Sequence, residues 1–345
     1  MSYLPFTTDA QAIVNNIDLS VLNDKTIMIT GASGLIGTYL LFSLDEFVRQ
    51  GGRIKKCYAL IFSELPSHLI GLSKNNWIEF IRGDITDTQY LNTLPTADFI
   101  IHAATYGQPQ KFMADPAKVI KINTLSTFEL LNKLHPNGKF LFISSSAVYT
   151  GCSNLPFTEN EIGCSNTNHP RAAYIEGKRC GEAIVNAVRI SGTDAKSVRL
   201  QLAYGPGVRL DDARVINQFI RRALDEDRID LLDDGSAERV YIYIADAVEL
   251  MWKILLFGTS DIYNIAGHSI TSIYQLAQRI GHILTVPVSN KNNEDAIGGA
   301  MQTEVLDMNK AEREFGKKEY VSLEEGLNKT IAWTKEAMLK ENVAK

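Results

Sequence analysis

Cysteine is scarce, and the few cysteines present lack the spacing of the residue's two common uses. Only four of the 345 residues are cysteine, and none of them forms a CxxC pair or lies in a histidine cluster. Metal sites and disulfide frameworks depend on such groupings. We therefore expect no metal ligation, no disulfide and a reducing, cytoplasmic environment. Cys57 in a predicted strand and Cys180 in a predicted helix are interpreted as packing residues.

Long hydrophobic runs and an excess of positive charge are also missing. No stretch approaches the roughly 18 apolar residues that a membrane-spanning helix needs. Asp9 and Asp18 stand where a secretory leader would have a basic start and an apolar core, so no leader is expected. The net charge of -5 gives no reason to expect nucleic acid as a partner. With 45% hydrophobic residues and no repeats, the composition indicates an ordinary globular protein.

Glycine is where the organisation of the chain begins. The apolar segment Thr26–Ile29 predicts a buried strand, and an amphipathic helix is predicted over Tyr39–Val48. The glycines between them permit a tight turn and let a pyrophosphate approach the helix N-terminus, as in dinucleotide-binding folds. The predicted cofactor contacts in this loop are Gly31, Ser33, Gly34, Leu35, Ile36 and Gly37.

Strands and helices alternate through the first half of the chain, which indicates an α/β fold with a doubly wound parallel sheet. The other predicted elements are strands at Cys57–Phe62, Ile78–Ile81, Phe99–His102 and Lys139–Ser144 and helices at Asp9–Leu22, Val119–Leu134 and Ala172–Val188. Ligands of such sheets bind outside the carboxyl ends of the strands. His102 closes one of these buried strands and is interpreted as a structural residue.

The end of the second strand distinguishes NAD from NADP, because a carboxylate there binds the ribose 2′-hydroxyl. Ser63 and Glu64 occupy this position, and no arginine lies beside them in the sequence to hold a 2′-phosphate. We predict NAD as the cofactor, with Glu64 as its main contact here. Ala103 and Ala104, after the fourth strand, are small enough to let the chain pass close to that cofactor.

Tyr174 and Lys178 are four residues apart in a predicted helix, so both side chains lie on one face. A phenol with a reference pKa of about 10 is a poor base at neutral pH. A neighbouring lysine and an oxidised nicotinamide would lower that pKa. We predict Tyr174 as the acid/base, Lys178 as its partner and a ligand of the nicotinamide ribose, and Ser145 as the group that positions the substrate oxygen. No GxSxG motif supports a serine hydrolase.

The GxxGxxG turn, the serine at a strand end and the YxxxK pair, in this order, resemble an extended short-chain dehydrogenase/reductase of the NAD-dependent epimerase/dehydratase family. The resemblance runs from Lys25 to Thr334. It is strongest toward UDP-glucuronate decarboxylases, in the segments Pro170–Arg179, Ala203–Pro206, Ala213–Phe219 and Asp234–Arg239. It implies a nucleotide-diphosphate sugar as substrate and a homodimer joined by the two helices that follow Leu125 and Tyr174.

The resemblance also implies roles for residues that no local pattern assigns. The implied contacts are Asp84, Ile85 and Asn123 for the cofactor and Ser146, Arg214 and Arg239 for the substrate. Arg239 would clamp the diphosphate, since arginine offers phosphate a planar bidentate fork. Asp246 is interpreted as the N-cap of a helix and not as a catalytic group.

Two departures from the family pattern shape the prediction of activity. Sugar 4,6-dehydratases carry an Asp-Glu pair after the catalytic residue and the decarboxylases carry a glutamate before Val-Tyr, whereas this chain has Ala147. Leu202 replaces an asparagine that touches the substrate in many relatives. We therefore predict a 4-epimerase that acts by reversible oxidation at C4. The alternatives are a 4-keto-sugar reductase, a decarboxylase or dehydratase in which a carboxylate such as Glu176 substitutes, and a non-catalytic NAD sensor.

The expected architecture is a Rossmann-like sheet domain with a smaller α/β substrate-binding lobe. We assign residues 1–21 to an N-terminal helical extension and residues 22–202 to the NAD-binding domain, with residues 238–262 returning to it. Residues 203–237 and 263–345 form the nucleotide-sugar-binding lobe. The substrate would lie in the cleft between the two parts.

Overall fold

The computed structural model describes residues 4–290 and 303–344, so the parts of the predicted lobes at 1–3, 291–302 and 345 lie outside the described residues. Its strands are β1 (Lys25–Thr30), β2 (Ile54–Ile61), β3 (Ile78–Arg82), β4 (Ala97–His102), β5 (Leu134–Ser145), β6 (Asp194–Leu200), β7 (Leu202–Tyr204), β8 (Ile229–Leu231), β9 (Glu238–Tyr243), β10 (Ile262–Ile265), β11 (Ile270–Ser272) and β12 (Val288–Asn290). Its α-helices are α1 (Leu4–Asn15), α2 (Leu35–Arg49), α3 (Thr88–Thr93), α4 (Pro109–Ala114), α5 (Pro116–Asn123), α6 (Leu125–Leu131), α7 (Ala172–Ile190), α8 (Val215–Asp225), α9 (Ile244–Phe257), α10 (Ile273–Leu284), α11 (Asn309–Phe315) and α12 (Leu323–Ala344).

Seven strands form one parallel sheet in the order β3, β2, β1, β4, β5, β6, β10. The chain leaves β1 toward β2 on one side and reaches β4 on the other, which makes the β1–β4 edge the switch point where such sheets bind ligands. The predicted Rossmann-like doubly wound fold is confirmed. β10 pairs with β6, so the returning segment extends past residue 262 to Ile265.

The alternation of side chains along buried strands places two cores on the two faces of this sheet. Ile27 and Ile29 of β1 face the core that contains α1, α2 and α9. Met28 points to the opposite core, where α5, α6 and α7 pack. Because both faces are covered by helices, the central strands β1 and β4 are largely apolar.

The remaining strands lie outside the large sheet. β7, β9 and β11 form a three-stranded sheet, and β8 and β12 form a parallel pair that packs with α8 and α10. The segment that begins at Thr303 returns toward the large sheet, where Leu306 bridges to Phe157. This segment carries Glu304.

Three local predictions are wrong. The helix predicted over Val119–Leu134 is two helices, α5 and α6, which break at Thr124, where the hydroxyl donates to the Ile120 carbonyl at 2.8 Å. Asp246 is not an N-cap: it lies inside the first turn of α9 and pairs with Lys317 at 2.8 Å. The Cys180 side chain is exposed on α7, whereas Cys57 is buried as expected.

Among the described residues, no helix combines the length and the apolar character that crossing a membrane requires.

Candidate active site

The glycine turn joins β1 to α2 at the switch point of the sheet. Gly31 adopts a φ of +68°, and a Cβ on it would lie 2.8 Å from the Ala104 backbone, so the turn and the end of β4 touch. A Cβ on Gly37 would lie 2.4 Å from the Ala32 Cα, which explains why this helix position must be glycine. Gly34 is the exposed N-cap of α2. The half-buried Ser33, Leu35 and Ile36 complete an accessible cradle with the free N–H groups of the first turn.

The opposite wall of this cradle also fits a dinucleotide. Ala103 and Ala104 are half-buried, and the Ala104 N–H donates to the Thr30 hydroxyl at 3.0 Å. The hydroxyl of the next residue, Thr105, is buried and has no hydrogen-bond partner among the described residues. A buried polar atom without a partner is costly, and a bound ligand is one way to satisfy it. The residues of this cradle therefore fit the predicted cofactor.

The predicted adenosine contacts lie at the ends of β2 and β3. Glu64 is exposed and pairs with Arg82, which corrects the expectation that no arginine stands near it: the two are 18 residues apart but the parallel pairing of β2 and β3 brings them together. Asp84 forms a 2.6 Å ion pair with Lys118, and that partner holds the pKa of Asp84 below its usual value even though burial raises it. Ile85 is buried behind them.

Asn123, an implied cofactor contact, and His102, interpreted as structural, are both fully buried. Asn123 lies where α5 meets α7, and its amide nitrogen donates to the Val119 carbonyl at 2.8 Å. His102 bonds Thr30 and the Ile122 carbonyl through its two ring nitrogens, and burial lowers its pKa to about 3. The histidine is therefore neutral and occupied on both sides, as a structural residue is. The half-buried Ser63 lies at the end of β2 beside Glu64.

Ser145, Tyr174 and Lys178 are brought together at the carboxyl end of β5. Ser145 ends that strand, and a hydrogen bond joins its side chain to Tyr174 in the first turn of α7. The Tyr174 ring stacks on Phe112 of α4, with 4.6 Å between the centroids. One turn along α7, the buried Lys178 ammonium donates to the Ile143 carbonyl at 2.6 Å and lies 6.0 Å from the Tyr174 ring centroid.

The close packing of α7 against β5 and α5 depends on two glycines that are not among the catalytic residues of the motif. A Cβ on Gly181 would lie 2.4 Å from the Phe142 ring, and one on Gly177 would lie 3.4 Å from Asn123. Because these positions are four residues apart, they form a bare strip on the helix face. That strip lets Tyr174 and Lys178 reach the strand ends.

The electrostatics of the cluster differ from the expectation in one respect. Burial raises the pKa of Tyr174, against the lowering effects of the Ser145 hydrogen bond, Arg171 and Arg214. Burial also lowers the pKa of Lys178 to about 7, while Glu182 opposes that shift. In the chain by itself, the phenol is therefore not made acidic by Lys178. The positive charge that would ionise it must include that of a bound oxidised nicotinamide.

Each of the two arginines predicted for the substrate acts electrostatically on an acidic group of this region, Arg214 on Tyr174 and Arg239 on Glu304. Arg214 forms a 2.8 Å ion pair with Asp212 and donates to the Ala203 carbonyl at 3.3 Å. Arg239 on β9 donates to the Glu238 carbonyl at 2.6 Å. Both fork-shaped side chains are held by neighbouring oxygens, an arrangement that orients them for a phosphate.

One carboxylate at this site was missed from the sequence. Glu304 accepts a 3.1 Å hydrogen bond from the Ser146 hydroxyl, and Gln201 donates to the Glu304 backbone carbonyl at 2.6 Å. Burial raises the pKa of Glu304, and Ser146, Arg239 and Arg171 oppose the rise. No spacing motif marks this residue, because it lies 158 positions from Ser146. Only the fold brings the two together.

Glu176, considered as the substitute for the missing family glutamate, does not take that role. Its carboxylate forms a 2.8 Å ion pair with Arg179 and accepts from the Ser165 hydroxyl. It therefore lies in a separate polar cluster, bound to partners of its own.

Comparisons with known proteins agree with this fold. The model of the "NAD dependent epimerase/dehydratase family" matches residues 27–266. A UDP-glucuronic acid decarboxylase 1 from Xenopus tropicalis is 28% identical over 91% of this chain and 73% of its own length. A UDP-glucose 4-epimerase from Thermotoga maritima superposes with a TM-score of 0.76 at 24% identity, covering 91% of this chain and 99% of the other. The Bordetella bronchiseptica enzyme WbmF, solved with NADH, gives 0.75 at 24% identity over 94% and 95%.

These findings confirm the family resemblance and the prediction of NAD as the cofactor. The family match covers the glycine turn, Ser145, Tyr174 and Lys178 in one continuous stretch. The activity is that of a nucleotide-sugar enzyme of the epimerase, dehydratase and decarboxylase group. The chain belongs to the NAD dependent epimerase/dehydratase family.

Proposed function

We propose that the chain converts a UDP-sugar through a 4-keto intermediate and regenerates its cofactor in each cycle. The observation that carries this proposal is the cluster of Ser145, Tyr174 and Lys178 beside the glycine cradle at the switch point of the sheet. NAD, when bound, supplies the hydride acceptor and donor for C4. Ser145 positions the C4 oxygen, and Tyr174 takes its proton and later returns it.

The net reaction that we put first is decarboxylation of UDP-glucuronic acid. The curated relatives that match most of this chain, from Xenopus tropicalis, Danio rerio and Arabidopsis thaliana, are named UDP-glucuronic acid decarboxylases. A ketone at C4 makes the C5 carboxylate a β-keto acid, so carbon dioxide leaves readily once C4 is oxidised. The arginines at 171, 214 and 239 give this pocket a cationic wall that suits a diphosphate and a carboxylate.

Epimerisation at C4 is the second candidate, and it rests on one residue. Ala147 stands where the decarboxylases carry a glutamate, and a methyl group transfers no proton. Epimerisation needs only Tyr174 as an acid/base. The keto sugar rotates in the pocket, so the hydride returns to its opposite face. Decarboxylation also requires a proton donor for C5, whereas epimerisation does not.

The test is incubation of the purified chain with UDP-glucuronic acid and with UDP-glucose, without added cofactor, followed by mass spectrometry and NMR. Release of carbon dioxide with formation of a UDP-pentose supports decarboxylation, and a 4-epimer supports the second candidate. A requirement for external NADH would indicate a reductase instead. A chain that converts neither substrate, or a Tyr174→Phe variant with full activity, would overturn the proposal.

A homodimer is part of this proposal. Ile120 and Phe128 project from α5 and α6 with 44% and 52% of their surface exposed, and α7 presents Cys180 beside them. An apolar stripe on paired helices is suited to a second copy of the same helices. Phe128→Glu should convert a dimer to a monomer in light scattering, and an unchanged mass would contradict this interface. The four free thiols support a reducing, cytoplasmic setting.

A further inference from the structure

We propose that Glu304 is a second acid/base group of the substrate pocket and that it protonates the sugar carbon left by carbon dioxide. This inference rests on the proposed function and adds a residue that neither the motifs nor the comparisons assign. Glu304 would supply from a distant segment what Ala147 lacks at the end of β5.

The carboxyl group of Glu304 is hydrogen-bonded to the residue that follows the catalytic serine. Its Oε2 accepts the Ser146 hydroxyl at 3.1 Å, and Ser146 directly follows Ser145, the partner of Tyr174. Ser146 begins a short 3-10 helix that ends at Tyr149. Tyr174 and Glu304 thus reach the same strand end from two different parts of the chain.

The backbone of Glu304 and of the residues that follow it is held in place by hydrogen bonds. The Gln201 amide donates to the Glu304 carbonyl at 2.6 Å, and Phe157 exchanges two 2.8 Å hydrogen bonds with Val305 and Asp307. A group that transfers a proton must be held in a defined position, and these contacts supply it. The amide oxygen of Gln201 is buried and has no partner among the described residues, so a polar acceptor beside Glu304 is left for a ligand.

Two arginines tie Glu304 to the catalytic pocket. The charge of Arg171 acts on both Glu304 and Tyr174, and its guanidinium lies 5.9 Å from the ring centroid of Phe112, which stacks on Tyr174. Arg239, the predicted diphosphate clamp, acts on Glu304 from β9. Burial nevertheless raises the pKa of the carboxyl above its usual value. The raised pKa favours the protonated form that a proton donor requires.

Other carboxylates near this strand end are committed elsewhere. Glu182 forms a 2.9 Å ion pair with Arg199 and accepts the Ser144 hydroxyl. Glu176 is paired with Arg179. Glu304, by contrast, has a neutral hydroxyl as its hydrogen-bond donor, so it can gain and lose a proton without breaking an ion pair.

The chemistry of decarboxylation requires such a group. When C4 is a ketone, the C5–C6 bond breaks, carbon dioxide leaves, and the electron pair of that bond becomes the C4–C5 enolate. Glu304 donates its proton to C5, which restores the ketone, and then recovers a proton from solvent. C4 then regains the hydride that it gave up in the first step, together with a proton from Tyr174, and the net reaction consumes one proton. Epimerisation at C4 never makes a carbanion and has no use for Glu304.

The experiment compares Glu304→Gln with wild type on UDP-glucuronic acid in D₂O. Glutamine keeps the shape and the contact with Ser146 but has no proton to give. We expect turnover to fall about 100-fold, while reduced nicotinamide still accumulates on the protein and a 4-keto sugar is released. Glu176→Gln, which changes a carboxylate of the separate Arg179 cluster, should keep wild-type turnover. Equal unfolding temperatures of the variants establish that the fold is intact.

Three outcomes would overturn the inference. One is turnover of Glu304→Gln within twofold of wild type with unchanged deuterium at C5. Another is equal loss of nicotinamide reduction and turnover, which would make Glu304 a residue of binding or structure. The third is a wild-type chain that epimerises C4 without any deuterium in the product. A wild-type chain that changes no UDP-sugar overturns the proposed function instead, and that result is visible before any variant is measured.

Discussion

The tyrosines of two polar sites in this chain have opposite electrostatic surroundings. In the first, the buried Asp9 of α1 accepts hydrogen bonds from the hydroxyls of Tyr39 and Tyr243 and forms a 3.0 Å ion pair with Lys329 of α12. In the second, Tyr174 meets a serine hydroxyl and the positive charges of two arginines.

The polar groups of the Asp9 cluster are paired with one another, whereas the active site includes buried polar atoms that have no partner among the described residues. Burial and the charges of Tyr243 and Asp9 keep the pKa of Tyr39 well above 10. That phenol is therefore an inert hydrogen-bond donor. Around Tyr174, the arginines act in the opposite direction, and nearby the Gln201 amide oxygen and the Thr105 hydroxyl have no partner among the described residues. Because unpaired buried polar groups cost stability, we infer that the first cluster serves the fold and the second awaits ligands.

The largest expected effect separates the two phenols by function. Tyr174→Phe removes the proton carrier and should lower kcat by about 10²–10⁴-fold with little change in unfolding temperature. Tyr243→Phe, the matched control in the Asp9 cluster, should lower the unfolding temperature and leave kcat per folded molecule unchanged. Steady-state kinetics and thermal unfolding of both variants give the comparison. If Tyr243→Phe proved the more harmful to kcat, the assignment of roles would be wrong.

The next effect concerns stability. Asp9→Ala leaves two phenols and Lys329 without their common acceptor, and we expect a loss of about 3 kcal/mol in the free energy of unfolding. Asp18→Ala is the control, because that exposed carboxylate accepts its hydrogen bonds from the neighbouring Ser20. It should cost much less than Asp9→Ala. Denaturant titration measures both, and equal losses would contradict a special role for the cluster at Asp9.

The contrast between the clusters also explains how far the sequence alone leads. The strand, the glycine turn and the Tyr174–Lys178 pair were predictable because each is a local pattern whose spacing follows from strand and helix geometry. Glu304 and the Glu64–Arg82 pair were not, since each depends on contacts between segments that are separate in the sequence. The break at Thr124 was also missed, because the apolar spacing continues across it while a side-chain hydrogen bond interrupts the helix.

Two glycines of the turn should show the same contrast, because one serves the fold and the other serves cofactor binding. In Gly37→Ala the new methyl would meet backbone atoms of Ala32 and Gly31 within 2.5 Å, so we expect a loss of about 1–3 kcal/mol in stability. In Gly34→Ala it meets only the Gly31 carbonyl, at 3.2 Å, and otherwise enters the cradle. This variant should stay folded and bind NAD about tenfold more weakly, by calorimetry. Full NAD affinity in Gly34→Ala would place the pyrophosphate elsewhere.

The last expected effect is a dependence of stability on pH to which the active-site lysine contributes. Burial lowers the pKa of Lys178 from 10.5 in the unfolded chain to about 7 in the folded one. Between these values the unfolded state binds more protons, so the free energy of unfolding gains a contribution that grows as pH rises. The raised pKa values of Tyr174 and Cys57 act with the opposite sign, but only above about pH 9. The lowered pKa of Lys196 acts in the same direction as that of Lys178, so a variant is needed to separate the two.

Comparison with Lys178→Met isolates this contribution, because other titrating groups cancel in the difference. Wild type should gain stability relative to that variant steadily from about pH 7 to pH 10, in denaturant titrations without cofactor. Lys121→Met, at an exposed position of α5, should show no such trend. A difference for Lys178→Met that stays constant over this interval would mean that the ammonium remains charged in the folded chain. In that case Lys178 would enter the reaction as a permanent cation beside Tyr174, as the sequence first suggested.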